Sequence, residues 1–296
     1  MLQNMMQTLR KVSAGLMLTL SISAAMPAGA ADGKTLRIGW TAWSDAEAVT
    51  NVARQLLEQR LGYKVELVMT DIGLQYQGIA RGQLDLMLMA WLPTTHKAYW
   101  DKHSSEVVDI GILYSNAKLG WAVPAYVPES ELKSIADMKK PEVRKKLRSQ
   151  VQGIDPGAGL MKASESAIKN YGLDGYQLLT GSDAAMMVAL DRAIRRNEWI
   201  VVTTWTPHWM FSKYKLRYLQ DPKQSLGGAE AIHALSRKGF ERDFPQAAAF
   251  IKNFQIPLAD LEGIMLKARD TSYQKEAADY IQRHPQMVDK WLRDAR

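Results

Sequence analysis

The chain has 296 residues, 47% hydrophobic and 23% charged, with a formal charge of +7. Those proportions belong to globular proteins and exclude collagen-like, low-complexity or mainly disordered chains. It has no cysteine, which excludes disulfides, thiolate metal sites, cysteine nucleophiles and a lipidated N-terminal cysteine.

At the N-terminus, Arg10 and Lys11 are the only charged residues among the first thirty. An apolar run follows from Val12 to Met26, then Pro27 and Ala28-Gly29-Ala30. A basic start, a short apolar stretch and an A-x-A site predict a secretory signal peptide over 1–30. The run has about fifteen residues, short of the roughly twenty that a membrane span needs. Export leaves little room for a nucleic-acid reading of the positive charge.

The remaining length exceeds what one core organises and predicts two lobes. Residues 36–40 read as a strand, followed by a helix with Val49, Val52, Ala53, Leu56 and Leu57 on one face. Gly62 ends that helix, and 64–69 and 84–91 read as strands around a short helix broken at Gly82. Such alternation predicts a parallel sheet with helices on both faces. A second α/β unit has strands at 119–123, 150–154 and 199–204 and helices near 130–148, 160–171 and 183–196. Beyond residue 243 the pattern is helical only: 245–254, 257–269, 273–284 and 286–294. The chain therefore crosses twice, near 113–120 and 226–235, giving lobe 1 as 31–117 plus 230–296 and lobe 2 as 118–229. Two crossings make a hinge beside a cleft, and in open α/β sheets ligands bind at the carboxyl ends of strands. The basic segment Lys139 to Arg148 reads as a solvated helix face.

Trp43, Trp91 and Trp205 each sit at or just beyond the carboxyl end of an expected strand. Their arrangement leaves two readings open: packing between lobes, or an aromatic cage for a cation. A quaternary ammonium cannot donate hydrogen bonds, so indole faces suit it better than carboxylates alone. The turn Gly153-Ile154-Asp155-Pro156-Gly157-Ala158-Gly159, between a strand and a helix, suits an anion. His96 is placed to donate to the same anion, whereas His208, between Pro207 and Trp209, reads as structural.

IGWTAWSDAEA, AWLPTTHKAYW, GIDPGAGLM and TTWTPHWMFSKYKLRYLQDPKQ resemble the glycine betaine/proline betaine-binding proteins of ABC importers. The resemblance implies a two-lobe periplasmic binding protein fold with a hinge and an interlobe cleft, and no enzymatic activity. It implies that Trp43, Trp91 and Trp205 box a trimethylammonium group. It also implies that His96 and the amides of Gly153 and Ile154 hold the ligand carboxylate. The expected partners are a small betaine and a membrane permease, with no cofactor, metal or nucleic acid, for a monomer in the periplasm. Related choline-binding proteins place an acid where Asp45 stands, but Asp also caps helices well, and a cap for a helix starting near Ala46 is the expectation here. A choline or carnitine receptor is the alternative within this class. A secreted hydrolase is the alternative outside it, without a G-x-S-x-G elbow or H-E-x-x-H site to support it.

Overall fold

Strand β1 (Thr35–Trp40) opens the described part of the chain and lies inside the sheet. The computed structural model describes residues 34–295, so the signal peptide expected over 1–30 lies outside the described residues. Helix α1 (Ser44–Gln59) buries Val49, Val52, Ala53, Leu56 and Leu57, the stripe its 3.6-residue spacing requires. Then come β2 (Lys64–Met69), α2 (Ile72–Ala80), β3 (Leu86–Leu92) and the short α3 (Lys97–His103). Strand β3 is buried along its whole length, as a central strand covered on both faces must be.

The following strand, β4 (Val107–Pro124), is eighteen residues long. Next are a 3₁₀ turn (Ile135–Lys139), α4 (Pro141–Lys146), β5 (Gln150–Gln152), α5 (Gly159–Asn170), β6 (Gln177–Leu179) and α6 (Asp183–Arg195). Strand β7 (Val202–Thr206), α7 (Met210–Lys213) and β8 (Leu216–Tyr218) lead to β9 (Ala229–Arg237). The rest is helical: α8 (Phe240–Asp243), α9 (Pro245–Asn253), α10 (Leu258–Ala268), α11 (Tyr273–Arg283) and α12 (Pro285–Trp291). Proline starts α4, α9 and α12, where its missing N–H costs nothing. Ser182 and Ser272 cap α6 and α11 by accepting the amides of Ala185 and Lys275.

The strands form one mixed sheet in the order β2-β1-β3-β9-β4-β7-β5-β6, with β8 also on β4. Parallel pairing holds for β1 with β2 and β3, and for β5 with β6 and β7. The all-parallel expectation fails at the centre, where β9 and β4 run antiparallel to each other and to their outer neighbours. Lys118 on β4 pairs with Ala229 of β9 and with Thr206 of β7, so the sheet passes from one strand set to the other there. A larger core cluster surrounds α1, β3 and the C-terminal helices, and a smaller one gathers Trp121, Val151, Tyr171 and Tyr176.

The helix expected near 130–148 is only the 3₁₀ turn and α4, because the β-favouring exit at Lys140 before Pro141 breaks it. The basic side chains there turn to local partners: Lys140 to Asp137, Lys146 to Glu131 and Trp199, and Arg144 to the Asp174 carbonyl.

Candidate functional site

A cavity lies where β1, β3, β5 and β7 end and α5 begins. Trp43 follows β1 at the start of α1, Trp91 lies near the end of β3 and Trp205 near the end of β7. All three line the cavity and are almost fully buried. Leu119 of β4 adds an aliphatic wall that sequence reading missed, since one leucine inside a long strand carries no distinguishing signal.

His96 lines the cavity from the turn after β3. The amide of Trp91 donates to His96 Nδ1 at 3.0 Å, and the His96 amide donates to the Trp91 carbonyl at 2.9 Å. A ring nitrogen that accepts an amide proton is unprotonated, so the neutral ring carries its proton on Nε2. Burial, helped by the positive charge of Lys162, lowers the His96 pKa to about 3. His96 is therefore a neutral, oriented donor at physiological pH. Glu230 of β9 holds the turn in place: its carboxylate accepts the amides of Thr94 and Thr95 at 2.7 and 2.9 Å and the Thr95 hydroxyl.

The glycine-rich turn departs from expectation, because both amides expected to face a ligand have partners within the fold. Ile154 and Ala158 line the cavity, but Gly153 does not, and the Gly153 amide donates to the Leu179 carbonyl at 2.8 Å. The Ile154 amide faces Met161 Sδ at 3.3 Å. Gly153 serves packing, since a side chain there would collide with Met161 and the Leu179 carbonyl. The cavity wall is instead built by Gly159 and Leu160, the first two residues of α5. Amides of a first helical turn lack intrahelical acceptors and carry the positive end of the helix dipole. A Cβ on Gly159 would stand 2.7 Å from the Thr95 carbonyl and 3.2 Å from the His96 ring, so only glycine brings this helix end against His96. The P-G-A-G spelling at a strand-to-helix junction was the available signal for this pair. What it could not specify was which amides the turn itself consumes.

Carboxylates hold the N–H edges of two of the indoles. Trp43 Nε1 donates to Asp155 Oδ1 at 2.7 Å, and Trp205 Nε1 donates to Asp45 Oδ1 at 3.0 Å. The expected cap role of Asp45 is not what the fold uses. Helix α1 starts two residues earlier, at Ser44 with Trp43 at its cap position, and Asp45 points into the core, where its Oδ2 also accepts the Tyr114 hydroxyl at 2.7 Å. Burial raises the Asp45 pKa to about 6, opposed by Tyr114, His208 and Trp205 and reinforced by Asp183. Asp45 does not line the cavity. His208 is likewise structural: its ring packs edge-on against Trp205 at 4.7 Å and bonds Asp183 Oδ1 through Nε2 at 3.0 Å. Asp183 also accepts the amide and hydroxyl of Ser44, at 3.0 and 2.6 Å. Burial disfavours the Asp183 charge, yet the His208 ring and Ser44 together hold its pKa below the usual carboxylate value. Among the described residues no group of three or more His, Asp and Glu could hold a metal ion, and no helix is long and apolar enough to cross a membrane.

The cavity thus brings three indoles, the His96 ring and the first residues of α5 to one place. Residues 34–283 match the substrate-binding domain of ABC-type glycine betaine transport systems. The chain belongs to that family. Members of this family are transport receptors and not enzymes. The chain is 43% identical over 158 residues to the glycine betaine/carnitine transport binding protein GbuC of Listeria monocytogenes. That match covers 52% of each chain, so it spans about half the length of the curated relative. The structure is similar to lactococcal OpuAC in its closed conformation with glycine betaine, with a TM-score of 0.81 at 36% identity, over 88% of this chain and 99% of that one. It is also similar to the glycine betaine/L-proline-binding protein ProX of Borrelia burgdorferi, with a TM-score of 0.82 at 33% identity, over 88% and 97% of the two chains. The fold of the family is the two-lobe α/β fold of ABC substrate-binding proteins.

Proposed function

We propose that this protein captures glycine betaine or a close relative in the periplasm and delivers it to a membrane permease. The observation that carries this reading is one cavity lined both by Trp43, Trp91 and Trp205 and by His96 and the first residues of α5. The indoles hold the trimethylammonium head by cation–π attraction, each face contributing about 0.5–2 kcal/mol. The ligand carboxylate accepts hydrogen bonds from His96 Nε2–H and the Gly159 and Leu160 amides, in place of the Gly153 and Ile154 amides. A neutral histidine serves here because it remains a donor without making the pocket a net cation that would repel the ligand head. Lobe 1 comprises 31–117 plus 230–296 and lobe 2 comprises 118–229, and the lobes close around the ligand as a monomer after the signal peptide is removed.

Titration calorimetry of the purified protein with glycine betaine, proline betaine, carnitine and choline tests this. Choline shares the cationic head but offers a hydroxyl instead of a carboxylate. Hydrogen bonds to charged partners contribute about 1.5–3 kcal/mol against about 0.5–1.5 for neutral ones. Glycine betaine is expected to bind at least about tenfold more tightly than choline. Tighter binding of choline would reject the carboxylate site.

A further inference from the structure

We infer that Asp45 and Asp155 are positioning residues of the tryptophan cage, each anchoring and electrostatically backing an indole supplied by the opposite stretch of chain. The inference rests on the cage reading above. Trp43 precedes the first crossing of the chain, and its anchor Asp155 lies between the two crossings, 112 residues away in sequence. Trp205 lies between the crossings, and its anchor Asp45 precedes the first, 160 residues away. The two hydrogen bonds are reciprocal. Neither indole is fixed by its own side of the cleft alone.

Two physical effects follow. First, an indole turns about two side-chain torsions, and an N–H tied to a carboxylate selects one ring orientation. Second, a carboxylate on the indole N–H, at the edge of the ring, draws the proton toward itself and leaves both ring faces more negative. Both strengthen attraction for a cation on the ring face. Neither aspartate lines the cavity, so neither forms a direct ion pair with a bound head group. Asp45 has both oxygens occupied, by Trp205 and Tyr114. Asp155 Oδ2 is buried with no hydrogen-bond partner among the described residues. An unpartnered buried carboxylate oxygen opposes folding, and a cation held just beyond Trp43 would offset that cost.

The test compares glycine betaine with 3,3-dimethylbutanoate, which keeps the carboxylate and shape but carries a neutral tert-butyl head. Calorimetry on wild type, Asp45→Asn and Asp155→Asn gives the affinity ratio of the two ligands. Wild type is expected to favour betaine by about tenfold or more. Each variant should lose about five- to tenfold in betaine affinity and less than about twofold for the neutral isostere. In ¹⁵N spectra the indole N–H signal of Trp205 should move in Asp45→Asn, and that of Trp43 in Asp155→Asn. A folded variant that keeps the wild-type ratio overturns the inference. If Asp45→Asn does not fold, Asp155→Asn, in a partly exposed loop, decides alone. Wild type that binds both ligands equally would instead reject the cage itself.

Discussion

His96 and Asp45 are both buried and both titrate far from their ordinary values, in ways that give opposite pH behaviour. His96, with its pKa lowered to about 3, stays neutral across the physiological range and contributes no binding step there. Asp45 has its pKa raised from 3.8 to about 6. A folded-state pKa above the unfolded one means the fold favours the protonated form. That contribution, on the order of 3 kcal/mol, is complete below pH 3.8 and is lost as pH rises through about 6. Ligand affinity should run the other way, since a cation beside Trp205 favours ionised Asp45. Betaine affinity is expected to rise through about pH 6, and Asp45→Asn to flatten that rise. Calorimetry between pH 5 and 8 measures both, and a profile identical in wild type and variant would refute the linkage. For the cage, Trp43→Ala, Trp91→Ala or Trp205→Ala should each weaken betaine binding by about 1–2 kcal/mol, roughly five- to thirtyfold. Phenylalanine at the same positions should cost less, because it keeps a ring face.

At the scale of elements, the decisive junction is the turn after β3 against the start of α5. Gly159 touches Thr95 and His96 so closely that any side chain must push the two apart. Gly159→Ala should therefore weaken betaine binding more than tenfold while leaving choline, which depends less on these donors, nearer its wild-type affinity. Gly157→Ala is the control, since a Cβ there has only Asp71 nearby, at 3.9 Å. Equal losses for both ligands in Gly159→Ala would show a general packing defect instead. Two elements were hidden from sequence reading for identifiable reasons. The first half of β4 carries Gly111 at φ 150°, Asn116 at φ 63° and several register shifts, which erase the apolar alternation of a strand. In β9 the inward positions include small or polar residues such as Ala234, Ser236 and Glu230, so it reads as a crossing and not as a central strand.

Over the whole molecule, a belt of polar contacts ties the segment before the first crossing to the segment between the crossings. It includes Trp43 with Asp155, Trp205 with Asp45, Ser44 with Asp183, Trp209 Nε1 with Ser44, and Tyr99 with the Gly157 carbonyl. With the lobe boundaries proposed above, these contacts join one lobe to the other. Small-angle scattering should give a smaller radius of gyration with saturating betaine than without, because only closure completes the site. Asp183→Asn removes the charge that Ser44 and His208 hold, and it should reduce the share of closed protein and lower betaine affinity about tenfold or more. An unchanged radius together with unchanged affinity in this variant would place closure elsewhere.

Sequence by itself determined the α/β alternation and the family, and it singled out the three tryptophans and His96, because each is written in local motifs or local periodicity. Trp43, Trp91, Trp205, His96 and Ile154 are all brought to one cavity. Tertiary structure alone decided which amides of the glycine-rich turn remain available, because Leu179 and Met161, distant or downstream in the chain, take those of Gly153 and Ile154. It also decided the role of Asp45. A carboxyl near a helix start is a cap by local rules, but the partners that claim this one, Tyr114 and Trp205, lie 69 and 160 residues away. Hydrogen bonds at such separations leave no trace in spacing or periodicity, so only the folded chain reveals them.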